Sequence, residues 1–292
     1  MSLVPRALPG LSDPRVAQVL QPRWDRARPR LRTAAVWLPV VQCGLVLAML
    51  VTAALGRAGG SAWWVLPVAG GLAPAVLSWA LAGRSGLFDP SSWARTAFLV
   101  GGCQLLLGGV PGFAIAANAS DSALRVVVIA LFALMWVSTV VGCVLASQAH
   151  GTLVRPLVPE LGSTWFRLSL GARFTVARAD LVLASVGVEG DRIVWNAHKH
   201  RARSSGPQLS GAVGFDQLSA MWTVELPEHA PPRPWALLSD GTELLTTPGP
   251  AVVLRTPRGD QLLPVHDAAT FVELVNRRIA LWRADSGHRP VA

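Results

Sequence analysis

Four long apolar runs, free of Asp, Glu, Lys, Arg and His, fill the first half of the chain at about 34–56, 63–82, 96–117 and 126–147. At 1.5 Å per residue, each is long enough to cross a hydrocarbon core ~30 Å thick. The pattern therefore predicts a four-span transmembrane bundle. From about residue 150 the chain turns polar, with short runs rich in Val, Leu and Trp between turn signals such as Glu189-Gly190-Asp191, Ser239-Asp240-Gly241 and Arg258-Gly259-Asp260. Such runs predict strands at 173–177, 181–185, 192–196, 213–217, 221–225, 235–238, 243–245, 251–255 and 261–265. The segment 267–282 reads as a helix: Phe271, Leu274, Val275, Ile279 and Trp282 recur at helical spacing behind the N-cap Asp267. Arg277 and Arg278 are placed toward its C-terminal end, where the dipole favours cations.

These elements divide the 292-residue chain into five parts. They are a basic arm at 1–33, a four-helix transmembrane domain at 34–147, a linker at 148–172, an antiparallel α+β soluble domain at 173–285 and a tail at 286–292. The segments 1–21, 202–210 and 227–234 read as flexible, because their Pro, Ser and Gly content cannot bury a core.

Charge adds orientation. The net charge is +9, and Lys199 is the only Lys among 26 basic residues. Seven Arg (Arg6, Arg15, Arg23, Arg26, Arg28, Arg30 and Arg32) precede the first span, a topology signal and an anionic-lipid contact rather than a nucleic-acid face. Counted near the span ends, alternate compartments receive thirteen and two Arg. The bias, with an even number of spans, predicts a multi-pass protein of a bacterial cell membrane with both termini cytoplasmic. The long arm and long first apolar run argue against a cleaved signal peptide.

The spans hold no ionisable group at mid-depth, which disfavours pumps and proton relays. Gln42 and Gln104 are read as interhelical hydrogen-bonding groups. Pro67, Pro74, Gly101, Gly102, Gly108 and Gly112 are read as packing positions, with Gly108 and Gly112 at small-residue spacing. Cys43, Cys103 and Cys143 all lie in spans and indicate neither a disulfide framework nor a metal site. Trp37, Trp63, Trp64, Trp79 and Trp93 lie near span ends, at headgroup depth.

No catalytic motif or cofactor-binding loop appears in the soluble half, so no enzyme, cofactor or metal is expected. Its one notable cluster is His198, Lys199, His200, Arg201 and Arg203, read as a loop able to touch anionic lipid.

Strands followed by one closing helix resemble a pleckstrin-homology-like barrel or sandwich. The run WALLSDGTELLTTPGPAVVLRTPRGDQLLPVHDAATFVELVN at 235–276 resembles the C-terminal domain of uncharacterised actinobacterial multi-span membrane proteins. The resemblance implies a non-enzymatic, membrane-tethered module for protein interaction or regulation, with a protein partner and possible self-association. The alternative is a subunit of a small oligomeric transporter or channel, suggested by the Gly- and Pro-interrupted second and third spans.

Overall fold

A computed structural model describes residues 4–9, 11, 13–56, 64–82, 86–118, 121–176, 181–200, 205–229 and 231–286. The chain forms two compact units, one built mainly from 20–153 and the other mainly from 154 onward.

The first unit is helical. Helices α1 (Pro14–Arg32) and α2 (Leu38–Leu55) are joined by a π-helical turn at Thr33–Trp37. Next come α3 (Val65–Ala82), α4 (Trp93–Gln104), a second π turn (Leu105–Gly109), α5 (Val110–Ala116) and α6 (Ser122–Val154). Three continuous helices, Pro14–Leu55, Pro90–Ala116 and Ser122–Val154, are long and apolar enough to cross a membrane, which marks the chain as a membrane protein. The fourth apolar helix, α3, is shorter. Large apolar side chains on all four, including Leu47, Val76, Leu106 and Val140, point outward and are exposed. Such a surface suits lipid rather than water. Inside, Val46, Met49 and Ala53 pack with Leu105, Ala116, Val128 and Met135.

Both π turns precede a proline. Pro39 has no N–H for the Ala35 carbonyl four residues back, and the Trp79 indole donates to that carbonyl at 2.9 Å. Pro111 likewise offers no N–H to Leu107. There α3 comes so close that a Cβ on Gly70 would lie 2.0 Å from the Leu107 oxygen. Only glycine allows this approach. Of the glycines read as packing positions, Gly101 and Gly108 are close to Thr139 and Gly71 respectively, and Gly112 makes ordinary contact with Pro67. Gly102 faces open space.

Residues 14–21, expected as part of a flexible arm, form the first turns of α1, which begins at Pro14. Its Leu20, Trp24, Ala27 and Leu31 recur at helical spacing and are buried. Trp24 packs on Trp93 with ring centroids 6.4 Å apart.

The second unit contains β1 (Leu168–Gly171), β2 (Phe174–Val176), β3 (Val182–Val188), β4 (Arg192–His200), β5 (Ser205–Gly214), β6 (Ala220–Leu226), β7 (Pro234–Leu237), β8 (Glu243–Thr246), β9 (Gly249–Thr256) and β10 (Gly259–Leu263). They form three antiparallel sheets, ordered β1-β3-β4-β5, β10-β9-β6 and β2-β8-β7. No ladder closes them into a barrel among the described residues. The segment carrying β1 and β2 touches all three sheets. It pairs with β3, bridges Ala172 to Val265 just beyond β10, and pairs with β8. The β7–β8 register shifts between Pro234 and Ala236, where Pro234 offers no ladder N–H.

Helix α7 (Ala268–Ser286) follows the sheets. Asp267 caps it as expected, accepting from the Thr270 N–H at 3.0 Å. Phe271, Leu274, Val275 and Ile279 are buried, and Trp282 meets Phe215 edge-on at 5.9 Å. The helix continues past 282, so Arg277 and Arg278 lie in its middle, not at its end. The sheet unit also starts before 173. A 3-10 turn at Pro159–Ser163 packs on α7 so closely that a Cβ on Gly162 would fall 2.0 Å from the Leu274 oxygen.

Candidate functional site

Two glutamines bind the helices of the first unit together. The Gln42 amide nitrogen donates to Thr139 Oγ1 at 2.8 Å, Ser138 Oγ at 2.9 Å and the Met135 carbonyl at 3.2 Å, joining α2 to α6. The Gln104 amide nitrogen donates to the carbonyls of Gly71 at 2.7 Å and Pro39 at 3.1 Å, and lies 3.3 Å from Cys43 Sγ. One side chain thus ties α4 to α2 and α3. Its carbonyl oxygen is buried with no partner among the described residues. These contacts are interhelical, as the sequence reading holds.

At one end of this unit, indole rings, arginines and a cavity come together. Successive antiparallel helices bring the start of α2, the end of α3, the start of α4 and the end of α6 to that end. Trp37, Trp79 and Trp93 all lie there. Arg32 sits over the Trp37 ring at 5.7 Å. Arg23 donates to the Leu153 carbonyl at 3.4 Å and Arg30 to Thr152 Oγ1 at 2.7 Å, so the arm supplies cations to the C-terminal end of α6. Between these elements is an apolar cavity of about 140 Å³, its wall including Leu31, Trp79, Trp93 and Val100. A void of about 10 Å³ beside Gln42 shares Ala34, Pro39 and Ala97 with its wall. Trp63 and the loop around Arg84 lie outside the described residues.

In the sheet unit, the cluster predicted as a loop is in part strand. His198, Lys199 and His200 belong to β4, while Arg201 and Arg203 lie outside the described residues. The register pairs Leu183 with His198 and Val182 with Lys199, and the His200 N–H donates to the Leu181 carbonyl at 2.8 Å. Alternation then sorts the side chains. Leu181, Leu183, His198 and His200 share one face and are exposed, Leu181 by 63% and Leu183 by 53%. Lys199 is on the opposite face, within 3.5 Å of Asp240. Thr242 first, and Lys199 after it, hold the Asp240 carboxyl below the usual range. Lys199 therefore does not share the face of the two histidines.

Arg278, expected only as a cation near the end of the helix, is fully buried and has no ion-pair partner among the described residues. Its guanidinium donates to the carbonyls of Phe166 at 2.7 Å, Glu189 at 2.8 Å, Gly162 at 3.0 Å and Leu161 at 3.4 Å. Burial lowers its pKa to about 10, so it remains charged at neutral pH. One planar fork thus anchors α7 to the segment that opens the unit. Next to it, Arg277 pairs with Glu160 at 3.3 Å and Glu273 at 2.7 Å.

Among the described residues, no three His, Cys, Asp or Glu side chains form a group able to hold a metal. No family model, no curated protein and no solved structure matches this chain.

Proposed function

We propose that the chain is a non-enzymatic, four-span protein of a bacterial cell membrane, which tethers a pleckstrin-homology-like module at the inner leaflet for protein interaction or regulation. The observation that carries this reading is the exposed face of β3 and β4. A solvent face normally alternates to polar residues. Here Leu181 and Leu183 occupy it beside His198 and His200. Exposed leucines beside two imidazoles suit an apolar partner surface. The Arg bias supports a cytoplasmic location for both termini. The outward apolar residues of α3 support its being a fourth span. The run at 235–276 supports kinship with the actinobacterial membrane proteins that it resembles.

The test is crosslinked affinity recovery from native membranes, comparing the full chain with a Leu181→Glu/Leu183→Glu variant. A partner recovered by the first and lost by the second, with equal membrane insertion, supports the module. Equal recovery by both removes this face from recognition.

A second reading, an oligomeric transporter subunit, draws on the unpartnered Gln104 oxygen inside the bundle. Unchanged substrate flux in reconstituted vesicles after replacing Gln42 and Gln104 with Leu would remove that path.

A further inference from the structure

We propose that the apolar cavity beside α1 is a binding site for an anionic phospholipid. One acyl chain enters the cavity and the phosphate rests on Arg28 and Arg32. The inference rests on reading the helical unit as embedded in a bilayer.

The cavity matches an acyl chain in chemistry and size. Its wall is apolar apart from Ser78 and Thr96, and the Ser78 hydroxyl donates to the Ala75 carbonyl at 2.7 Å. Both indoles in the wall turn their N–H groups onto backbone, Trp79 to Ala35 at 2.9 Å and Trp93 to Gly86 at 3.1 Å. No polar group in the wall that is accounted for in this way calls for a polar ligand. The volume, about 140 Å³, compares with the ~150 Å³ of an apolar cavity that takes a six-carbon ring. It accepts a chain segment of that size.

The position and charge favour an anionic headgroup. The cavity lies at the end of the helices where Trp37, Trp79 and Trp93 mark headgroup depth. Val4 lines it, and the Arg28 Nε donates to the Val4 carbonyl at 3.5 Å, which places this guanidinium at the wall. Arg28 stands three residues before the lining residue Leu31, and Arg32 three before the lining residue Ala35, so each neighbours the wall on the helix surface. Arg32 is exposed. Among the described residues, neither arginine is in an ion pair. The nearby acids have other contacts: Asp25 accepts from Gln21 at 2.7 Å, and Asp89 accepts from Ser91 at 2.6 Å. A phosphate at this rim therefore meets a net positive field next to an apolar slot.

The experiment is native mass spectrometry of the full chain, released from vesicles of equimolar phosphatidylglycerol and phosphatidylcholine with identical acyl chains. The wild type is expected to retain phosphatidylglycerol over phosphatidylcholine by roughly tenfold. An Arg28→Gln/Arg32→Gln variant should bring that ratio near one. An Ala97→Phe variant, which fills the cavity from its wall, should lose the retained lipid with all arginines in place. A second measurement covers a variant that fails to fold. Phosphatidylglycerol brominated on its acyl chains should quench wild-type tryptophan fluorescence more than brominated phosphatidylcholine does. Equal retention of the two lipids by the wild type, or equal quenching by them, would overturn the proposal. So would undiminished retention by a folded Ala97→Phe protein. None of these readouts depends on a protein partner, so failure of the interaction module would leave them unchanged.

Discussion

Arg278 shows how one side chain can organise a domain end. A buried cation without a counter-ion is costly unless its donors are all used. Here four carbonyls from 161–189 surround it. Arg278→Met would strand those carbonyls, and a loss of about 3 kcal/mol is expected, read as a lower melting temperature of the sheet unit in the full-length protein. Arg278→Lys should recover only part, because a point charge cannot reproduce the fork. Helical spacing separates Arg278 from Arg277: Arg278 follows Leu274 by four residues and precedes Trp282 by four, on the apolar stripe, whereas Arg277 falls off it. What the spacing did not reveal is the set of carbonyls that receives it. The carboxylates lend themselves to a pH test. Arg255 holds Asp260 below its ordinary range, and Thr242 and Lys199 do so for Asp240. A carboxyl lowered on folding stabilises above its unfolded pKa and loses that contribution as pH falls through the folded value. Asp240→Asn/Asp260→Asn should lower stability slightly at neutral pH and flatten the acid limb, so that the two proteins converge at low pH, as thermal melts across pH would show.

At the scale of elements, proline and glycine acted in ways that spacing alone did not reveal. The apolar runs placed the helices well, because a span must be apolar along its whole length. Their interior breaks were visible as Pro39, Pro111 and the glycine pairs, but not the groups that answer them. The Trp79 indole completes the carbonyl freed by Pro39, and Gly70 makes room for the one freed by Pro111. Trp79→Phe should therefore destabilise the bundle by about 1–3 kcal/mol, measured by unfolding in detergent. Gly70→Val should cost at least as much by forcing α3 off the Leu107 turn, whereas Gly102→Ala, facing open space, should be neutral or slightly stabilising. In the soluble half most strands were legible from alternation and turns. The exceptions are instructive. Glycine- and serine-rich β5 reads as loop because the ladder with β4, not side-chain propensity, fixes it. Helix α1 was hidden by its arginines and by Pro22 and Pro29, although Leu20, Trp24, Ala27 and Leu31 carried its period. The cavity was not legible at all, since its wall is drawn from segments as distant as Val4 and Ala146.

For the whole molecule, function turns on whether the span count is odd or even, and α3 decides it. Its 18 residues reach about 27 Å, slightly short of a typical hydrocarbon core of ~30 Å. Local thinning or flanking indoles can absorb such a mismatch. If α3 crosses, the Arg-rich arm and the sheet unit share a compartment, as the distribution of Arg favours. An odd count would put them on opposite sides, break the bonds of Arg23 and Arg30 to the end of α6, and make an inner-leaflet module untenable. Replacing Cys43, Cys103 and Cys143 gives a background in which single introduced cysteines report sidedness. With a membrane-impermeant maleimide, Ser122→Cys should label on intact spheroplasts. Asp13→Cys and Asp216→Cys should label only after lysis. Labelling of Asp216→Cys on intact cells with Asp13→Cys protected would establish an odd count. The β3–β4 face would then meet the cell exterior, and partner searches would move there.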